Sequence, residues 1–128
     1  MTPAVTTLLV CAAGGLGAAT RLVLDGLIRA RTRSTYPVAT TIINLTGSLL
    51  LGLLTGLATG HLLPEPWRII AGAGLLGGYT TFSTASFETV SLLEEGRYLA
   101  AAINGLGTLL ICTCAAAGGL IIGLAITR

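Results

Sequence analysis

The chain has 128 residues, of which 53% are hydrophobic and only 9% charged, and its mean hydropathy is +0.89. Soluble proteins carry ~25% charged residues, and apolar runs this long cannot all be hidden in one small soluble core, so the class is an integral membrane protein with length for one domain. The net charge of +2 comes with no lysine and no basic block of the kind that tracks phosphates, which argues against nucleic acid as a partner.

A hydrocarbon core of ~30 Å takes about 20 helical residues to cross. Segments of that order run over roughly 4–27, 37–60, 67–92 and 98–126, which predicts a single all-α domain of four transmembrane helices over 1–128. The apolar run from Ala4 lacks a basic leading region and is followed by no polar mature domain, so it reads as a helix rather than a signal peptide. The first segment carries Gly14-Gly15-Leu16-Gly17-Ala18, small residues that let helix backbones approach closely. Arg21, near the end of that segment, reads equally as a structural tether and as a positive charge at a pore mouth. The second segment carries Asn44, Gly47, Ser48, Gly52 and Gly56. The glycines again mean close packing. Asn44 is costly if it faces lipid; an interhelical hydrogen bond is its default reading, and an amide donor along a path for an anion is the functional one. His61, beside Pro64, reads as an interfacial residue, and Trp67 fits the aromatic belt where the third segment starts.

The third segment contains Gly77-Gly78-Tyr79-Thr80-Thr81-Phe82-Ser83-Thr84. Glycine lowers helix propensity, and Thr and Ser offer the backbone competing hydrogen bonds, so the helix is expected to break there. In hydrocarbon such a break is tolerated only when it is buried in protein or lines a wet cavity, which makes it the place to look for function. In the fourth segment Asn104, Thr108 and Cys112 share one face, a polar stripe that is either glue between helices or the wall of a pore. The odd number of cysteines, Cys11, Cys112 and Cys114, all in apolar runs, suits small helix- or lipid-facing residues rather than disulfides or a metal site. No nucleophile–base pair, metal cluster or phosphate loop is visible, so an enzyme is not expected. Four thin helices cannot easily enclose a polar path, so oligomers are expected. The arginine bias between the two sides is modest, and weak bias permits insertion in both orientations.

Gly14-x-x-Gly17-Ala18-x-x-Arg21, Asn44-x-x-Gly47-Ser48-x-x-x-Gly52, the Gly77–Thr84 run, Glu88 and Leu92-Leu93-Glu94-Glu95-Gly96-Arg97 together resemble the Fluc fluoride channel family, also called CrcB. The resemblance covers nearly the whole chain, and the Gly-Gly-x-Thr-Thr-Phe-Ser-Thr run is its specific part. It implies four-helix subunits in an antiparallel, dual-topology homodimer in the plasma membrane of a bacterium, with the third helix broken mid-membrane and two pores for fluoride. It implies a structural, non-transported sodium ion at the dimer centre, held by the backbone carbonyls of Gly77 and Thr80. It puts Asn44, Phe82, Ser83, Thr84 and Thr108 along the fluoride path, and Arg21, Gly47 and Gly78 in structural roles. Physically, a small hydrated anion needs donors, and a phenylalanine ring edge is electropositive.

One position departs from the family. Phe-Ser-Thr-Phe is usual, and this chain has Phe82-Ser83-Thr84-Ala85. Phe87 does not replace the second ring, because two residues along a helix turn a side chain ~200° away. Ala85 implies a wider or weaker pore, a paralogous subunit that supplies the ring, or a substituted variant. Passive fluoride efflux is the reading the residues favour. The competing readings are a small dual-topology multidrug-type exporter, which wants a buried carboxylate in its path, and a non-conducting partner subunit of a heterodimer.

Overall fold

The computed structural model describes residues 1–128. Helix α1 runs Pro3–Thr32, opening on a proline whose missing N–H costs nothing in a first turn, and it closes on Arg33 at φ 43°. Helix α2 spans Val38–Thr59. The third segment is divided into α3 (Glu65–Ile69), a π-helical stretch over Ile70–Leu76, the single turn α4 (Gly77–Tyr79) and, after two extended residues, α5 (Phe82–Glu94). Gly96, at φ +73°, makes the turn into α6 (Tyr98–Ala102). A second π-helical stretch, Ile103–Gly107, leads into α7 (Thr108–Ile126). Three stretches are long and apolar enough to cross a membrane: Pro3–Thr32, Val38–Thr59 and Tyr98–Ile126. The first continues past Leu27 to Thr32, and along this extension Asp25 and Arg29, one turn apart, pair at 2.8 Å.

Lipid is as apolar as leucine, so helices in a membrane associate by close packing and not by expelling water. Two seams of small residues do this here. Along α2 and α7, a Cβ on Gly52 would overlap the Ala116 backbone, and one on Gly119 would overlap Leu49 O. Gly56 and Gly123 meet farther along the same pair. Along α1 and the third segment, a Cβ on Gly17 would strike Leu75 O, and one on Gly78 would strike Gly14 O. The interior is correspondingly thin, and the largest fully buried side chains are Ile43, Asn104 and Thr40. Most large apolar side chains, such as Leu8, Leu22, Leu106 and Ile121, point outward.

Candidate functional site

The third segment breaks at Thr80 and Thr81, both extended (φ −78°, ψ 161° and φ −146°, ψ 119°). Local chemistry explains why here. Thr80 keeps its own bonds to the turn before, with N and Oγ1 both donating to Leu76 O at 2.9 and 3.0 Å. Thr81 then starts a new helix as its N-cap: its Oγ1 accepts the N–H of Thr84 at 3.2 Å and donates its own proton to Thr84 Oγ1 at 2.9 Å. The broken backbone is held from α2. The Asn44 side chain reads the peptide groups of Thr81 on both sides, accepting from its N–H at Oδ1 (2.8 Å) and donating Nδ2 to its carbonyl (2.9 Å). Gly47, three residues on and on the same face, leaves the room that Thr80 Cγ2 and the Tyr79 ring occupy. Thr46 and Tyr79 join hydroxyls at 2.9 Å. From α1, Arg21 Nε donates to Gly78 O at 3.4 Å, so its cation touches the broken segment itself.

These elements enclose a groove of about 350 Å³ whose walls include Asn44, Gly77, Thr80, Phe82, Asn104 and Thr108. Phe82 stands 88% exposed at its edge. Thr108 is 8% exposed, and its Oγ1 is buried with no hydrogen-bond partner. Ala85 and Cys112 complete the wall. Six of the candidate site residues named from sequence therefore share one space: Asn44, Gly47, Gly77, Thr80, Phe82 and Thr108. Ser83 and Thr84 do not line it; Ser83 is exposed and Thr84 is bonded to Thr81. Gly78 lies on the α1 side of the break.

Sequence reasoning named three participants without finding their partners: Asn104 as glue between helices or pore wall, Thr81 and Glu88 only as parts of the family pattern. Thr81 was legible in principle, as a threonine at the N-cap position before a new helical run. Asn104 is more than part of a stripe: its Nδ2 donates to Ala85 O (3.2 Å) and to Thr89 Oγ1 (2.9 Å), which fixes α5 against the second π-helical stretch. Glu88 ties three elements, accepting at Oε1 from Arg29 Nη2 (2.7 Å) and from Thr40 Oγ1 (2.9 Å), while Oε2 is buried without a partner. No periodicity in the sequence pairs residues that far apart.

No cluster of three or more His, Cys, Asp or Glu side chains is present, so a cation here would depend on carbonyl oxygens. The N–H that would close a helical turn on Gly77 O belongs to Thr81, and it goes to Asn44. The one for Thr80 O belongs to Thr84, and it goes to Thr81 Oγ1. Carbonyls relieved of those bonds are neutral oxygen donors that fit a hard cation such as sodium.

The family described as CrcB-like protein, Camphor Resistance (CrcB) matches residues 8–120. The chain belongs to that family. Among CrcB relatives, fluoride-specific ion channel FluC 1 of Leifsonia xyli subsp. xyli is 54% identical over 123 residues, covering 96% of this chain and 89% of the relative. Fluoride-specific ion channel FluC 3 of Bifidobacterium longum is 42% identical over 115 residues, covering 90% and 95%. Fluoride-specific ion channel FluC of Pyrococcus abyssi is 42% identical over 107 residues, covering 83% and 85%. With CrcB membership and its three long apolar helices, the chain is a multi-pass membrane protein, in bacteria one of the plasma membrane.

Proposed function

We propose that this CrcB protein is a passive fluoride channel built from two copies of the chain. The observation that carries the reading is the groove at the break, which brings hydroxyl, amide and ring-edge donors together inside a family whose relatives are named fluoride-specific ion channels. Fluoride, small and strongly hydrated, needs such donors in exchange for its water. The unpartnered Thr108 hydroxyl can turn its proton to an anion without losing a protein bond. The exposed Phe82 ring presents an electropositive edge. Asn44 is half committed: one amide hydrogen holds Thr81 O and the other remains for the path. A negative-inside potential drives an anion outward, so HF that has entered and ionised can leave as fluoride with no coupled energy source.

In a lone subunit the groove would open its polar wall to hydrocarbon, which is unfavourable. A second copy covers it, and the third segment then serves as a fourth, interrupted crossing. Within that dimer the Gly77 and Thr80 carbonyls would hold a structural sodium ion; its contribution is charge that fixes the two broken segments together. The exporter reading fares less well, because Glu88 is bound to Arg29 and Thr40 and does not line the groove. Ala85 favours a second reading, in which a paralogous subunit supplies the ring that this wall lacks. The test is fluoride efflux from liposomes containing the purified chain alone. Efflux that collapses the fluoride gradient while chloride is retained is expected. Absence of efflux that appears on adding a paralogue would favour the heterodimer, and flux of organic cations instead would overturn the channel reading.

A further inference from the structure

In an uninterrupted α-helix the carbonyl of residue i takes the N–H of residue i+4, so no interior carbonyl is free to bind an ion. Stretching two residues does not by itself free a carbonyl, since a helix that has been opened can close again on the same partners. Here both amides are occupied elsewhere. Thr81 N donates to Asn44 Oδ1 at 2.8 Å, and Thr84 N donates to Thr81 Oγ1 at 3.2 Å. The second bond of the Asn44 amide, Nδ2 to Thr81 O at 2.9 Å, sets which end of the amide faces which peptide group. Gly47 lets α2 come close enough for this, because any Cβ there would collide with Thr80.

We infer that Asn44 and Thr81 are positioning residues of the cation cradle: by drawing away the Thr81 and Thr84 amides they keep the Gly77 and Thr80 carbonyls open before any ion arrives. The inference rests on the sodium reading above and adds to it which side chains set the affinity, although neither side chain is a ligand. It also gives Asn44 a task separate from any contact with fluoride. Thr81 is the cleaner probe, because valine keeps its shape and removes only the hydroxyl, which accepts from Thr84 N–H and donates to Thr84 Oγ1. With that acceptor gone, Thr84 N–H is released to close on Thr80 O, and an ion must then compete with a hydrogen bond.

The experiment is a thermal-unfolding titration of the purified full-length dimer in detergent. Sodium chloride is added at constant ionic strength against N-methylglucamine chloride. The parent protein should show a saturable rise in Tm. In Thr81→Val the sodium midpoint should move up on the order of tenfold, the size of one hydrogen bond competing with the ion. Thr81→Ser, which keeps the oxygen, should restore the parent midpoint. Asn44→Leu, which releases Thr81 N–H to Gly77 O, should shift the midpoint in the same direction as Thr81→Val. A parent Tm that rises with sodium, together with unchanged midpoints in Thr81→Val and Asn44→Leu, would overturn the inference and leave the sodium reading standing. A parent Tm indifferent to sodium would overturn both. Should the variants fail to assemble, carbonyl-carbon NMR of the sodium-free parent decides. Gly77 and Thr80 are expected to show shifts of carbonyls without a hydrogen bond, and helical, hydrogen-bonded values there would overturn the inference.

Discussion

At the scale of residues, Phe82 is where the proposed channel reading is most directly testable. It is the one aromatic side chain on the wall of the groove, and it is 88% exposed in the single chain, so it has little packing to lose within its own subunit. Phe82→Ile keeps an apolar side chain of broadly similar bulk and should cost no more than about 1 kcal/mol of stability. It removes the ring edge, and with Ala85 where a second ring is usual, nothing on the same wall replaces it. Fluoride efflux from liposomes should fall at least ~10-fold, the equivalent of about 1.4 kcal/mol on the barrier. A dimeric Phe82→Ile protein conducting at the parent rate would make Phe82 ordinary packing. Glu88 is the opposite kind of residue, structural and away from the groove. Its side chain is 13% exposed and bridges α1, α2 and α5, whereas the carboxylate of Glu95 is 59% exposed and meets only Arg97. Glu88→Ala should therefore lower the stability of the detergent-solubilised protein by about 1–3 kcal/mol, because it strands the buried Thr40 hydroxyl and leaves Arg29 with Asp25 alone, and Glu95→Ala by no more than about 0.5 kcal/mol. Equal Tm values for the two variants would mean that the three-element tie carries no stability.

At the scale of elements, the glycines decide how closely the rods approach. Gly17 and Gly26 lie on the same helix, yet a Cβ on Gly17 would strike Leu75 O and Tyr79 N while one on Gly26 would meet nothing within 4 Å. Gly17→Ala must push the backbone of the third segment away, and it should cost about 2 kcal/mol or more. Gly26→Ala should be neutral or stabilise by up to about 1 kcal/mol through helix propensity. Differential scanning fluorimetry on the two variants separates the outcomes, and equal losses would show that the seam yields. Much of this level could be read from the chain. The apolar lengths place α1, α2 and the run from Tyr98 to Ile126, and the Gly-Gly-x-Thr-Thr pattern locates the break, because glycine and threonine act on the backbone locally. What stayed hidden depends on contacts across elements. Asn44 could be read as polar and mid-membrane, but that both ends of its side-chain amide meet Thr81 follows only from α2 and the break lying side by side. The two π-helical stretches were hidden for a related reason: each is an accommodation of one extra residue per turn, and neither run, Ile70–Leu76 nor Ile103–Gly107, carries a residue that demands it.

At the scale of the whole molecule, the question is what covers the open side. A polar wall containing Asn44, Asn104 and Thr108 lies against a groove that one subunit does not close, and Phe82 and Phe87 project from the same short helix, 88% and 74% exposed. Asn104 is satisfied within the subunit, but hydrocarbon offers nothing to the Thr108 hydroxyl or the second Asn44 amide hydrogen, and the proposed second copy would cover them. The charges say how the partner would be inserted. Arg29, Arg31, Arg33 and Arg97 lie toward one side and Arg68 and Arg128 toward the other, but Arg29 is already paired with Asp25 and Glu88, Arg97 with Glu95, and Arg68 with Glu65. The positive-inside preference counts basic residues close to the ends of the spans, and a difference this small orients a chain weakly. Both orientations should therefore appear in one membrane, and the dimer should be antiparallel. A cysteine added at the carboxyl terminus of a background with Cys11, Cys112 and Cys114 replaced should be reached by an impermeant maleimide in about half the subunits of intact cells. Full labelling after lysis sets the scale. Labelling of nearly all or nearly none would fix a single topology, and the groove would then have to be closed by a parallel copy or by a different chain.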